Sequence, residues 1–386
     1  MWTGEETKRR EVLGMACAGL ALALLPNAAR AADDDMDELV RQQMAAARIP
    51  GLALGVAREG VVQFTRSYGL AEVEHKRPVT PVTMFHIASI TKTVMALATM
   101  ILVEDGKIAL DDPIAPHLDF AIAGDEAGRI TLRQLLMHTS GISDDVYYEV
   151  DFRTHGADAQ MPLGTLLRDY LAPGGRYTGK GNVKRAPGSN WDYSNIGFAL
   201  LGYLGGRIVG TDMRAFIRER VFAPLGLKHT AWTIAETPQK LRATPYDIDG
   251  TILKPCPPVG SPDWPASMIR ASIQDLTLLA AASANGGAAG KVRLLGAKAN
   301  AEMLAMQKPA GLADWLTGQG LGWQQSPLDG VPRANHWGGD PGVFTMAYLD
   351  PDRRAAVVLL SNLSVSDESR KAMKAIAAKA FDTIPG

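Results

Sequence analysis

Ser89-Ile90-Thr91-Lys92 puts a hydroxyl and an amine three positions apart, and no other S-x-x-K occurs in the chain. The segment opens an apolar helical pattern of Val94, Leu97, Ala98, Ile101 and Leu102. Residues three apart share a helix face, so Lys92 stands one turn beyond the Ser89 hydroxyl, in reach of its proton. A serine at a helix start also has backbone N–H groups and the positive dipole end close by, which suits a developing oxyanion. The plainer alternative is that Ser89 caps the helix and Lys92 is a solvated charge.

Tyr193-Ser194-Asn195 lies just before a second apolar run that begins at Ile196. Its tyrosine could be the base that Ser89 needs. A free tyrosine titrates near pH 10, so a phenolate at pH 7 costs roughly 4 kcal/mol, much of which a nearby buried ammonium could offset. That gives Lys92 a specific task. A third segment, His336-Trp337-Gly338-Gly339-Asp340-Pro341-Gly342, precedes a strand pattern. Glycines let a backbone approach a ligand closely, and a strand edge offers both N–H and C=O groups. A hairpin turn with an incidental histidine is the competing interpretation.

The elements that must bring these segments together are legible from periodicity. Asp37 to Arg48 reads as a helix ended by Ile49-Pro50-Gly51, followed by strands at Leu52 to Arg58 and Val61 to Tyr68. Near the other end, strands at Phe344 to Leu349 and Ala355 to Ser361 flank the turn Asp350-Pro351-Asp352-Arg353, and Glu368 to Phe381 is an amphipathic closing helix. Helices are expected between them at Thr91 to Asp105, Thr131 to His138, Ile196 to Val209, Met213 to Arg220 and Ile273 to Ala284. Leu171 to Asn190, rich in Gly, Pro and basic residues, reads as a long loop. The pattern predicts an α+β fold: an antiparallel sheet built from both termini and flanked by helices, with a mostly helical domain inserted. Residues 32–90 and about 290–386 would form the α/β lobe, and about 91–289 the helical lobe.

Composition narrows the function classes. The chain has 386 residues, with 40 Lys+Arg against 41 Asp+Glu. A net charge of -1 leaves no electrostatic footprint for nucleic acid. Two cysteines, Cys17 and Cys256, exclude a disulfide scaffold or a Cys-rich zinc module, and the seven histidines show no zinc-ligand spacing. Cys256 sits among Pro255, Pro257 and Pro258 with no neighbouring histidine and reads as structural.

Lys8-Arg9-Arg10, the apolar stretch Val12 to Leu25 and Ala29-Arg30-Ala31 together read as a signal peptide of twin-arginine type covering residues 1–31. The apolar stretch is too short to span roughly 30 Å of hydrocarbon at 1.5 Å per residue. The expected product is periplasmic or secreted, without stable membrane insertion. An uncleaved tether is the alternative.

In this order, the three chemical segments resemble the penicillin-recognising serine hydrolases. The similar branch holds class C β-lactamases, DD-peptidases, D-aminopeptidases and family VIII carboxylesterases. Phe85 to Thr93 is similar to the nucleophile segment, Leu135 to Ile142 to the H-T-S-G stretch, and Phe222 to Leu227 to F-x-P-L-G-[LM]. The likeness runs from about Asp37 to the C-terminus, and implies a β-lactamase/transpeptidase-like fold.

The resemblance implies Ser89 as nucleophile, Lys92 and Tyr193 sharing the base work, and Tyr193 protonating the leaving group. It implies Asn195 as an orienting residue and the N–H groups of Ser89 and Gly339 as the oxyanion hole. No metal or organic cofactor is implied. A rival pairing of His138 with Ser140 is disfavoured, because H-T-S-G is a turn in this family. The other rival, His336 as a Ser-His base, is weaker because the pattern puts His336 on the substrate-binding strand.

Class C β-lactamases carry Lys and Thr where this chain has His336 and Trp337, and both serve the substrate carboxylate. Loss of one charge-assisted hydrogen bond costs roughly 1.5–3 kcal/mol, so weak β-lactam hydrolysis at best is expected. Trp337-Gly338-Gly339 is similar to the W-G-G of family VIII carboxylesterases, and the indole is expected to wall the nucleophile. His336, Trp337, Gly338 and Gly339 thus form the expected substrate and oxyanion strand. The expectation is an exported acyl-serine hydrolase of a small ester or amide, esterase favoured. The alternatives are a D-aminopeptidase or DD-peptidase acting on cell-wall-type peptides, and a non-catalytic muropeptide-binding sensor.

Overall fold

The computed structural model describes residues 27–179 and 182–384. Most of the export pattern, residues 8–26, lies outside the described residues. The first helix, α1 (Asn27–Ala47), is longer than its periodicity suggested and stops where Arg48 turns left-handed at φ +56°.

Eight strands make one antiparallel sheet. They are β1 (Gly51–Arg58), β2 (Val61–Glu72), β3 (Arg77–Pro78), β4 (Gly318–Gln319), β5 (Gln324–Leu328), β6 (Val331–Asp340), β7 (Val343–Asp350) and β8 (Ala355–Ser361), in the order β4-β5-β6-β7-β8-β1-β2-β3. The first and last strand groups meet at β1–β8, where Leu52 pairs with Ser361 and Arg58 with Ala355. This is the sheet from both termini that the α+β pattern predicted.

Side-chain alternation divides the sheet between two cores. Leu52, Leu54 and Val56 of β1, with Val357 and Leu359 of β8, face α1 and the C-terminal helix α6 (Asp367–Asp382). There they meet the stripes Met36-Val40-Met44 and Met373-Ile376-Ala377-Ala380. The intervening residues Ala53, Ala57, Ala356, Val358 and Leu360 face the larger core under the helical segment.

That segment holds α2 (Thr91–Glu104), α3 (Leu132–Leu136), α4 (Asn195–Val209) and α5 (Ile273–Ala284). Helix α2 is buried from Thr91 to Leu102, which explains an apolar surface on every side. Helix α5 comes from the helical stretch of the chain but packs on β1, β2 and β8. The contact is close enough that a Cβ on Gly55 would stand 1.9 Å from Thr277 Oγ1. The Leu171–Asn190 stretch contains no helix or strand among its described residues beyond the last residue of Leu163–Leu171.

Candidate active site

The segment carrying Ser89 and Lys92 is held at the seam between sheet and helices. Met84–His86 pairs with Arg270–Ser272, and the chain then enters a short 3-10 turn, Ala88–Ile90, before α2. Ala88 is left-handed at φ +45°, a conformation costing an alanine about 1–2 kcal/mol. Packing against β6 holds it there. A Cβ on Gly338 would lie 2.2 Å from Ile87 O and 3.2 Å from Ala88 Cβ, so only glycine lets the strand pass this close. Buried Thr345 locks the junction by donating its hydroxyl to Ile87 O (3.0 Å). Ser89 does not cap α2: the N-cap position is Ile90, which has no side-chain bond.

Lys92 is fully buried. Its Nζ lies 3.1 Å from Ser89 Oγ, 2.8 Å from Asn195 Oδ1 and 2.9 Å from the Ala266 carbonyl. Burial lowers its pKa to about 7, although Asp263, Asp144 and Asp340 pull the other way. A neutral amine has two N–H bonds and one lone pair. The Asn195 and Ala266 oxygens can only accept, so both N–H bonds go to them and the lone pair is left for the serine proton.

The Tyr193 side chain adjoins Ser89 at the cavity, and its ring lies under Lys92, 4.9 Å from Nζ to centroid. Burial drives its pKa well above the usual tyrosine value, with Tyr148, Asp144 and Asp263 adding to the effect. The expectation of a phenolate sustained by Lys92 therefore reverses. The phenol keeps its proton, and the lysine is the group that can lose one near neutrality.

Asn195 and Tyr193 are held by the start of α4. The Ser194 hydroxyl accepts from Gly197 N (2.9 Å) as N-cap, worth about 1 kcal/mol, and donates to Asp144 Oδ1 (2.9 Å). The Asp144 carboxylate also accepts from the N–H groups of Asn195 (2.5 Å) and Ile196 (3.2 Å). Burial raises Asp144 to about 6. Neither Asp144 nor fully buried Asp263, which accepts from Tyr147 (3.0 Å) and Ser261, carried a sequence signal. Asp144 reaches the start of α4 from fifty positions away in the chain, beyond any local capping pattern.

The third segment forms the second half of β6, but its side chains divide between the two faces. His336 is buried behind Tyr193, ring centroids 6.3 Å apart. Its Nδ1 contacts Trp337 O at 2.8 Å, and since a carbonyl only accepts, Nδ1 carries the proton. Burial lowers its pKa to about 3, so the ring is neutral.

Trp337 overturns an expectation. Its indole points to the opposite face, stacked on Trp315 (5.3 Å, 19°) and donating to Tyr348 Oη (3.1 Å). Adjacent strand residues face opposite ways, so His336 and Trp337 cannot both address Ser89. Gly338 supplies close approach and Gly339 lines the cavity. Strand β5 pairs with β6 only as far as Asn335, so beyond it the outer edge of β6 borders the Ala88–Ile90 turn.

A cavity of about 470 Å³ reaches Ser89, Tyr193 and Asn195, walled by Tyr148, Phe152 and Met268. At its rim Arg153 bonds Asp340 (3.0 Å) and Asp151 (2.8 Å), while His86 also contacts Asp340 (3.2 Å). Met268 and Arg153 were not singled out in the sequence, and Asp340 entered only as part of the third segment. The alternative His138–Ser140 pair is not formed: His138 Nδ1 accepts from Ser194 N (3.1 Å), and Ser140 Oγ accepts from Ile142 N (3.3 Å). Cys256 does not line this cavity, and burial raises its thiol.

Known proteins place this architecture. The chain is 27% identical over 249 residues to protein flp of Staphylococcus aureus (strain MW2), covering 62% of this chain and 47% of that one. It is 32% identical over 216 residues to esterase EstB of Burkholderia gladioli, covering 55% and 54%. The chain thus spans about half the length of these curated relatives. Its fold is that of the D-amino acid amidase of Ochrobactrum anthropi SV3, with TM-score 0.73 at 23% identity over 90% of this chain and 98% of the other. The β-lactamase family model matches residues 36–381, and with that span the chain belongs to the β-lactamase family.

Proposed function

We propose that the protein is a serine hydrolase that passes through an acyl-Ser89 intermediate and acts on small, uncharged esters. The observation that carries this is the Lys92 amine, 3.1 Å from Ser89 Oγ and brought by burial to a pKa of about 7. Neutral Lys92 takes the hydroxyl proton as Oγ attacks the substrate carbonyl. Tyr193, which adjoins Ser89 at the cavity, gives its proton to the leaving oxygen and regains one from the Lys92 ammonium. Hydrolysis of the acyl group repeats these transfers with water in place of the serine. The N–H groups of Ser89 and Gly339 are the proposed oxyanion donors.

The ester reading now rests on charge rather than on Trp337. His336 is neutral and buried, and Arg153 is engaged by Asp340 and Asp151, so a substrate carboxylate finds no ready cation. The aromatic wall of Tyr148 and Phe152 suits an apolar acyl or alkyl group. The 32% identity to an esterase supports the same reading. A second reading, a D-aminopeptidase, draws on Glu149, Asp151 and Asp340 around the cavity, which favour a substrate ammonium. We also propose export, on the basis of the Arg9-Arg10 pattern.

The test is intact-mass labelling with a fluorophosphonate on wild type and Ser89→Ala, with turnover of p-nitrophenyl butyrate, a D-amino acid p-nitroanilide and nitrocefin. One adduct lost in the variant, with the ester turned over fastest, is expected. Faster anilide turnover would transfer the assignment to the peptidase, fast nitrocefin turnover would refute the charge argument, and no adduct would favour the binding protein.

A further inference from the structure

We infer that His138 is the positioning residue for Tyr193, bracketing it along the main chain and backing its ring; this rests on the reading of Tyr193 as the proton donor. Tyr193 sits in irregular chain before α4, where no strand ladder or helix bond fixes it. Its two neighbours are both tied to His138 instead. The Asp192 N–H donates to the His138 carbonyl (2.7 Å), and the Ser194 N–H donates to His138 Nδ1 (3.1 Å). The imidazole stacks on the Tyr193 ring at 4.4 Å between centroids and 30° between planes. Behind it, Phe198 at 5.0 Å and the edge of Trp191 at 6.2 Å hold the imidazole in turn.

His138 is itself left-handed at φ +57° and fully buried, so its carbonyl and ring are both committed to this loop. A backbone N–H can only donate, so Nδ1 must be bare and the neutral ring carries its proton on Nε2. An imidazolium would set an N–H against the Ser194 N–H and release the bracket. The surroundings prevent that: burial, with Lys92 and His336 nearby, holds His138 well below the usual histidine pKa. The tyrosine side chain is thereby kept beside Ser89 by a group that does not line the cavity.

The readout that separates positioning from general support is leaving-group dependence. A p-nitrophenolate departs without help, whereas an alkoxide needs the proton that Tyr193 delivers; general acid catalysis is worth about 10²–10⁴-fold. His138→Phe keeps a ring for stacking but loses the acceptor, and His138→Asn places an amide oxygen near the position of Nδ1. In His138→Phe, alkyl butyrate hydrolysis is expected to fall on the order of a hundredfold while p-nitrophenyl butyrate falls only a few-fold. His138→Asn is expected to recover most of the loss. Equal losses for both esters, or none, would overturn the inference.

Tyr193→Phe run alongside separates the two claims. If it shows no leaving-group dependence, the proton-donor reading fails; if it does and His138→Phe does not, only the bracket fails. Should His138→Phe not fold, the ¹⁵N shifts of His138 in the wild-type protein decide. A bare Nδ1 and protonated Nε2, unchanged across neutral pH, are expected, and an Nδ1–H tautomer or a titrating imidazolium would overturn the inference.

Discussion

Replacing Lys92 by Met tests the electrostatic core of the site, because Met has much the same length and carries no proton. In the unfolded chain a lysine keeps its proton to about pH 10.4, whereas the folded Lys92 does so only to about 7. Between those values the unfolded chain binds one proton more, so wild-type stability climbs as pH rises. Below pH 7 the whole burden of burying the ammonium is present, about 5 kcal/mol for a shift of this size at about 1.4 kcal/mol per unit.

Met removes that burden but also strips the Asn195 and Ala266 oxygens of their donor, at about 1–3 kcal/mol each. Below about pH 7 these terms nearly cancel. The pH dependence of the difference does not, since lost hydrogen bonds contribute equally throughout. Urea unfolding of both proteins, followed by tryptophan fluorescence, is the assay. Moving from about pH 6.5 to 9, the stability of Lys92→Met relative to wild type should fall by about 2–3 kcal/mol. Parallel stability curves would mean that Lys92 titrates as an ordinary surface lysine, and the general-base argument would go with it.

Two further substitutions examine parts that the nucleophile segment does not contain. Trp337→Leu should leave the rate of fluorophosphonate labelling at Ser89 within about twofold, because the indole faces away. It should cost about 1–3 kcal/mol in urea unfolding, from lost stacking on Trp315 and the bond to Tyr348; slowed labelling with unchanged stability would restore the indole to the substrate side. Asp144→Ala leaves the Ser194 hydroxyl and the Asn195 and Ile196 N–H groups without their buried acceptor. A loss of about 2–4 kcal/mol and at least tenfold slower ester turnover are expected, and wild-type values for both would show that Asp144 does not hold the Tyr193–Asn195 corner.

Much of the framework was local in the chain and therefore readable. The end strands are short, largely apolar runs bounded by turn residues, the helices repeat near 3.6, and Asp350-Pro351-Asp352-Arg353 is a turn by composition, so each element follows from interactions within a few residues. The three-residue spacing of Ser89 and Lys92 likewise became a contact of 3.1 Å. Even the failure at Trp337 was partly legible: period-two alternation forbids His336 and Trp337 from sharing a face, although it does not say which of them looks toward Ser89.

What only the tertiary structure decided is the charge state of the site and the company it keeps. Lys92 and Tyr193 have the types expected of base and acid. Which of them holds a proton at neutral pH depends on water being excluded by Ala266, Phe198 and His138, brought in from three distant segments. Asp144, Asp263, Thr345 and Arg153 enter for the same reason, each a single residue without a local pattern. Secondary structure is encoded in neighbours along the chain, whereas desolvation and proton affinity are sums over neighbours in space.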